Sequence, residues 1–269
     1  MADESNGRDF DLAAASFSPD TVAVVTGSAQ GIGKAIAEAL LQKGVKGLCL
    51  ADINETLGEE TLQELKKYGD DKVIFVKCDI RVDSDIEALF TKTKEAFGDV
   101  TLVVNNAGVQ NEQNWRFCVE VNLAGTIAAT YAAMRHMALD AGGKGGTIVN
   151  VASLAGVGPV PHMPAYAATK HGVMGLTKSL MVHPATKAKG LTLCALCPAY
   201  VDTDMIKEEK VILRQDADKD LARYFVGQAG ILDVSEVIDA FLTLVLDKSW
   251  AGKFMKISKA KGVGEVAIM

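Results

Sequence analysis

No uninterrupted apolar run of about eighteen residues occurs in the 269 residues of this chain, so no membrane-spanning helix is expected. Even the most apolar helical stretch, Cys118 to Leu139, carries Glu120, Asn122 and Arg135. Cysteine is sparse and odd in number, five scattered residues. That argues against a disulfide framework and for a reducing, cytoplasmic setting. "CALC", Cys194 to Cys197, has C-x-x-C spacing. In a strand-like run an odd offset sends the two thiols to opposite faces, and no second cysteine or histidine pair completes a metal site. Positive charge is in deficit: 28 Lys and Arg stand against 34 Asp and Glu. Nucleic acid and anionic membrane are therefore disfavoured as partners. The N-terminal "MADESNGRDFDLAAASFSPD" lacks a basic region and an apolar core. It does not read as a signal peptide, and residues 1–20 are expected to form a flexible tail, as are residues 259–269. Without a Pro/Ser-rich linker or a short-period repeat, residues 21–258 read as one domain.

What is present is alternation. Near-continuous apolar, β-branched runs start at Thr21, Gly47, Lys72, Thr101, Thr147, Leu191 and Lys253, with helical stretches between them. Strands buried on both faces read this way. The pattern predicts a single-domain Rossmann-type α/β fold, a doubly wound parallel sheet with helices on both faces. After the first run comes "TGSAQGIG", Thr26 to Gly33, opening a helix. Glycines at 27, 31 and 33 allow a tight turn and close approach to a pyrophosphate, and the helix N-terminus offers N–H groups and partial positive charge. Asp52 ends the second run, where a carboxylate can accept bonds from a ribose hydroxyl and repel a 2′-phosphate. Gln30, Ile53 and Asn54 add no positive charge. NAD is thus favoured over NADP.

"PAYAATKHG" places Tyr166 four residues before Lys170, on one face of a helix. By itself the pair reads as a half-buried phenol and a solvated ammonium. Together with "NNAG" at Asn105 to Gly108, Asn122 in the following helix and Ser153 ending the fifth strand, it resembles the short-chain dehydrogenase/reductase family over about residues 21–258. The resemblance implies a catalytic set of Asn122, Ser153, Tyr166 and Lys170. Tyr166 would be the base, Ser153 would hold the substrate oxygen, Asn122 would support a proton-relaying water, and Lys170 would also hold the nicotinamide ribose. An ammonium about 4 Å from the phenol at an effective dielectric near 20 is worth about 4 kcal/mol, enough to lower its pKa substantially.

The resemblance further implies cofactor contacts from Gly27, Gly31, Ile32, Gly33, Asp52, Asp79, Ile80, Asn105, Tyr166, Lys170, Val201 and Thr203. Asp79 would meet the adenine amino group. Where the family usually reads Pro-Gly after the sixth strand, this chain has Pro198-Ala199. Stretches such as "NNAGVQNEQNW" and "SLAGVGPV" resemble members that oxidise lipophilic secondary alcohols of the prostaglandin or hydroxylated fatty-acid kind. In those, a glutamine precedes Pro-x-Tyr; here Met163 stands there, with His162 beside it. A thioether is a poor hydrogen-bond partner, so His162 and Met163, with Ser153 and Tyr166, are the expected substrate contacts. Residues 204–230 match a substrate lid in length and position. Its Met205, Ile206, Val211, Ile212, Leu213, Tyr224 and Phe225 could cover a lipid, and Lys207, Lys210 and Arg214 could meet a carboxylate. An ordinary helical insertion reads the same way. Helices at 115–139 and 165–182 would pair across a homodimer. Carbonyl reduction, a steroid or retinoid substrate, and a non-catalytic NAD sensor or scaffold are the competing readings.

Overall fold

The structure, a computed structural model, describes residues 10–207 and 211–267. The strands are β1 (Val22–Thr26), β2 (Gly47–Asp52), β3 (Val73–Lys77), β4 (Leu102–Asn105), β5 (Gly146–Val151), β6 (Leu191–Pro198), β7 (Phe254–Ser258) and β8 (Gly262–Glu265). They form one sheet in the order β3-β2-β1-β4-β5-β6-β7-β8. Every pairing is parallel except β7 with β8. The helices are α1 (Gly31–Gln42), α2 (Glu55–Leu65), α3 (Asp83–Phe97), α4 (Trp115–Val119), α5 (Thr126–Met137), α6 (Pro164–Val182), α7 (Pro184–Ala188), α8 (Ala217–Ala229) and α9 (Val234–Leu246). A π-helical turn, Glu120–Gly125, joins α4 to α5.

Alternation along β1 shows how the sheet is covered. Ala23 and Val25 face a cluster with Ile36 and Leu40 of α1 and Phe241 of α9. Val22 and Val24 face Leu89 and Phe90 of α3 and Ala133 of α5. A period of two supplies both faces from one apolar run. Cys194 and Cys197 divide in the same way, into separate clusters, and all five cysteines are buried free thiols.

Both expected tails are corrected where they are described. Lys43, at the end of α1, donates through Nζ to the carbonyls of Leu12 (2.6 Å) and Ala13 (3.1 Å), while the Phe17 N–H donates to the Lys43 carbonyl at 3.0 Å. Leu12 and Phe17 pack on the α1/α9 cluster. Apolar burial plus an ammonium holding two carbonyls docks this stretch. At the other end, residues 259–267 are no tail. They turn back as β8, and Val266, only 8% exposed, packs beside Phe254, Val173 and Met174. Residues 1–9 and 268–269 lie outside the described residues. The helical run Trp115–Met137 is long and apolar enough to cross a membrane, contrary to the expectation from its charges. Half of its apolar window is nevertheless buried against the sheet and α6.

Candidate active site

The chain winds outward from β1 to β3 and then returns to β4 beside β1, which opens a crevice at the carboxyl ends of the strands. Thr26 and Asn106 tie its two sides. Thr26 Oγ1 accepts the N–H groups of Asn106 and Ala107 at 3.1 Å each, and Asn106 Nδ2 donates to the carbonyls of Thr26 and Gly27 at 3.0 Å. Gly27 has φ +64°, and a Cβ there would lie 2.7 Å from Ala107 Cα. A Cβ on Gly33 would lie 2.1 Å from the Gly27 carbonyl oxygen. No side-chain cap covers the start of α1, which leaves first-turn N–H groups for an anion. Asp52 sits over the same turn, accepting from Ala29 N–H (3.0 Å) and Asn54 N–H (2.9 Å). Lys77, in register with Asp52, is committed to Glu55 at 3.0 Å, so no surplus cation is added for a 2′-phosphate. These residues fit a dinucleotide: a cradle that side chains would fill, a helix N-terminus and a placed carboxylate.

Ser153, Tyr166 and Lys170 line one cavity with Ile32, Val201 and Thr203. Tyr166 and Lys170 stack on one face of α6, with Lys170 Nζ 5.6 Å from the phenol ring centroid and donating to the Val151 carbonyl at 2.9 Å. Ser153 Oγ accepts from Ala155 N–H and donates to the Pro198 carbonyl. Gly108 is the meeting point of the rest: a Cβ there would lie 3.3 Å from Asn122 Oδ1 and 3.7 Å from Lys170 Nζ. Asn122 itself lies in the π-helical turn, a feature frequent at functional sites. Its amide is held at both ends by Val109, accepting from the N–H at 2.7 Å and donating to the carbonyl at 2.8 Å.

The electrostatics differ from the expectation of a phenol acidified by its lysine. Burial pushes the Tyr166 hydroxyl up to about 12, opposed by its hydrogen bond with Ser153, and burial pulls the Lys170 ammonium down to about 8. The lysine, 5% exposed, is itself desolvated. Its own charge is disfavoured by the same surroundings that disfavour the phenolate.

Beyond Tyr166 the cavity, about 420 Å³, is walled mainly by apolar side chains that include Met163, Met205, Leu213, Phe225 and Val226. Met205, Ile206, Val211 and Leu213, with Phe225, Val226 and Ala229 of α8, bring the segment expected as a lid to this cavity; Lys210 is outside the described residues. His162, 1% exposed, also lines the cavity, with Nε2 3.2 Å from the Tyr200 hydroxyl and its ring 5.6 Å from that of Phe225. Burial holds its pKa below the ordinary histidine range. His162 Nδ1 and Gln110 Nε2 are both buried without a hydrogen-bond partner among the described residues.

Comparison with known proteins agrees with this geometry. The short chain dehydrogenase family model matches residues 21–211. The chain belongs to that family. The dehydrogenase is 39% identical over 250 residues to 15-hydroxyprostaglandin dehydrogenase (NAD(+)) of Homo sapiens, covering 90% of this chain and 92% of the relative. It is 34% identical over 217 residues to 3beta-hydroxysteroid dehydrogenase 2 of Eggerthella lenta, covering 77% and 80%. Among solved structures it resembles levodione reductase, with a TM-score of 0.77 and 25% identity, covering 90% of this chain and 97% of that one.

Not every expected residue of the dehydrogenase joins the cavity. Asp79 is gripped by its neighbour Arg81, with Nε at 2.9 Å and 3.1 Å from the two carboxylate oxygens, and lies with Ile80 in a separate hollow. The Asn105 side chain is buried in a polar ladder, donating to Asn150 Oδ1 (2.9 Å) and Thr130 Oγ1 (3.1 Å), so the cofactor contact expected of Asn105 falls to its main chain. Reading the sequence passed over Asn106, Gln110, Tyr200 and Glu112. The second asparagine of "NNAG" carried a signal, since a strand-end amide next to a glycine-rich turn is well placed to bond it. The other three are set by contacts across the fold.

Proposed function

We propose that this dehydrogenase oxidises a secondary alcohol on a lipophilic substrate that carries further oxygens, with NAD as cofactor. The supporting observation is the cavity: apolar walls interrupted by two buried, unpartnered polar nitrogens, Gln110 Nε2 and His162 Nδ1. Buried polar groups are almost always partnered, and ligand sites are apolar with a few placed polar groups. The names of the 15-hydroxyprostaglandin dehydrogenase relatives point to the same chemistry.

Gly27, Gly31, Ile32, Gly33 and Asp52 would hold NAD, which when bound would supply the hydride acceptor. Ser153 Oγ–H, here donated to the Pro198 carbonyl, would turn to the carbinol oxygen and fix it beside Tyr166. The ionised phenol takes the hydroxyl proton as the carbinol C–H leaves with its electron pair, and a ketone results. Lys170 holds the Val151 carbonyl in this structure and lies close enough to the ring to stabilise a phenolate. The Lys170 ammonium, joined by the positive charge of an oxidised nicotinamide, would offset the burial that pushes Tyr166 up to about 12. Asn122 fixes the loop at Val109 behind them. Met163, at the head of α6, adds apolar wall where an amide contact would otherwise lie.

A panel of secondary alcohols, read at the nicotinamide absorbance with NAD and with NADP, tests this reading. Prostaglandins and hydroxylated C20 fatty acids are expected to show the highest kcat/KM, and NAD to be preferred. Short polar alcohols turning over as well would defeat the lipid assignment. A steroid substrate is the second candidate, favoured by the hydroxysteroid dehydrogenase relative, and belongs on the panel.

A further inference from the structure

The helix that carries Tyr166 begins without a cap of its own. Met163 occupies the N-cap position and makes no side-chain bond there, and Pro164 has no N–H. The next two donors, the N–H groups of Ala165 and Tyr166, would be orphaned. Both are taken by one carboxylate from 53 residues away. Glu112 Oε2 accepts from Ala165 at 3.0 Å and Oε1 from Tyr166 at 2.8 Å. Glu112 is 6% exposed, and no cation lies within ion-pair distance of it among the described residues. Its charge is balanced by the two charge-assisted bonds and the partial positive end of α6. Leaving a carboxylate buried on those terms is costly, which argues that its position matters.

Glu112 has a second attachment. Its own N–H donates to the Ile212 carbonyl at 2.9 Å, Asn111 bridges to Ile212, and Gln113 Nε2 donates to the Leu213 carbonyl at 3.2 Å. Val211 and Leu213 line the cavity. Residues 111–113 thus stand between the cavity's outer wall and the main chain of Tyr166.

We propose that Glu112 is the positioning residue for Tyr166, clamping the first turn of α6 through two backbone N–H groups and fixing it relative to the lid segment at Ile212. The inference rests on Tyr166 acting as the base. A misplacement of about 1 Å at a reacting group can cost on the order of 10²-fold. Losing both bonds should therefore slow hydride transfer without weakening NAD binding.

The experiment compares wild type, Glu112→Gln, Glu112→Ala and Tyr166→Phe, using the best alcohol of the panel with and without deuterium at the carbinol carbon. Active sites are counted by NAD titration. Per NAD-binding site, Glu112→Ala should lose ten- to a hundredfold in kcat and show a larger primary isotope effect, because hydride transfer becomes limiting. Glu112→Gln keeps the size and one acceptor oxygen, so it should fall between the two. It also carries the test if the alanine variant does not fold. Unchanged kcat per site in both variants, or a loss explained wholly by fewer NAD-binding sites with an unchanged isotope effect, would overturn the assignment. Tyr166→Phe separates the two readings. If it is inactive while the Glu112 variants are normal, only the Glu112 assignment falls. If it turns over normally, the base is elsewhere and both fall.

Discussion

Lys170 shows what position along the chain reveals and what it hides. The four-residue offset from Tyr166 was legible because a helix fixes it. The charge balance was not, since it depends on how deeply both groups are buried. Desolvation gives a specific signature. Folding lowers the lysine from 10.5 to about 8, so between those values the unfolded chain binds more protons and stability rises with pH. Tyr166 works the other way, raised from 10.0 to about 12, and costs stability only as pH climbs past 10. Lys170→Met removes the first effect and keeps the second. Whatever its offset from wild type at pH 7.5, the variant's relative stability should fall by about 2 kcal/mol by pH 9.5, measured by urea unfolding of both apo proteins. An offset that stays constant would mean that the lysine is not desolvated as described.

Elements were legible where the pattern was long and missed where it was short. The seven parallel strands announced themselves as apolar runs, and the glycine turn sat where a first βα turn must. Strand β8, "GVGE", has too few residues and too much glycine for a two-residue period to stand out. The Glu112 clamp, the Tyr200–His162 pair and the Gln110 donor were invisible for another reason. The first two join residues far apart in the chain, 53 residues for Ala165 and 38 for Tyr200, and Gln110 is a donor buried only by tertiary packing. Strand β8 has its own test. It pairs with β7 over four positions and seats Val266 in the core. Truncation after Ser258 should lower the melting temperature and, by exposing a strand edge, promote concentration-dependent association, followed by calorimetry and light scattering. A truncated chain that melts and scatters like the full one would make β8 dispensable.

For the molecule as a whole, the parallel Rossmann-type architecture could be read apart from its antiparallel edge strand, but its surface could not, because exposure is a property of the packed chain. Trp115, Tyr131 and Val182 stand 46%, 45% and 68% exposed on α4, α5 and α6, the helices expected to pair across a homodimer. Sedimentation equilibrium should give twice the monomer mass, and Tyr131→Glu should shift it toward the monomer; a wild-type monomer would contradict the pairing. The crevice between β1 and β4 has a temporal consequence. Val24 pairs with Val103, and Gly27 is packed on Ala107. During synthesis, the glycine turn and Asp52 emerge long before the strand that completes their site. The cofactor, however tightly it binds the finished protein, can help hold this crevice only after β4 has been made.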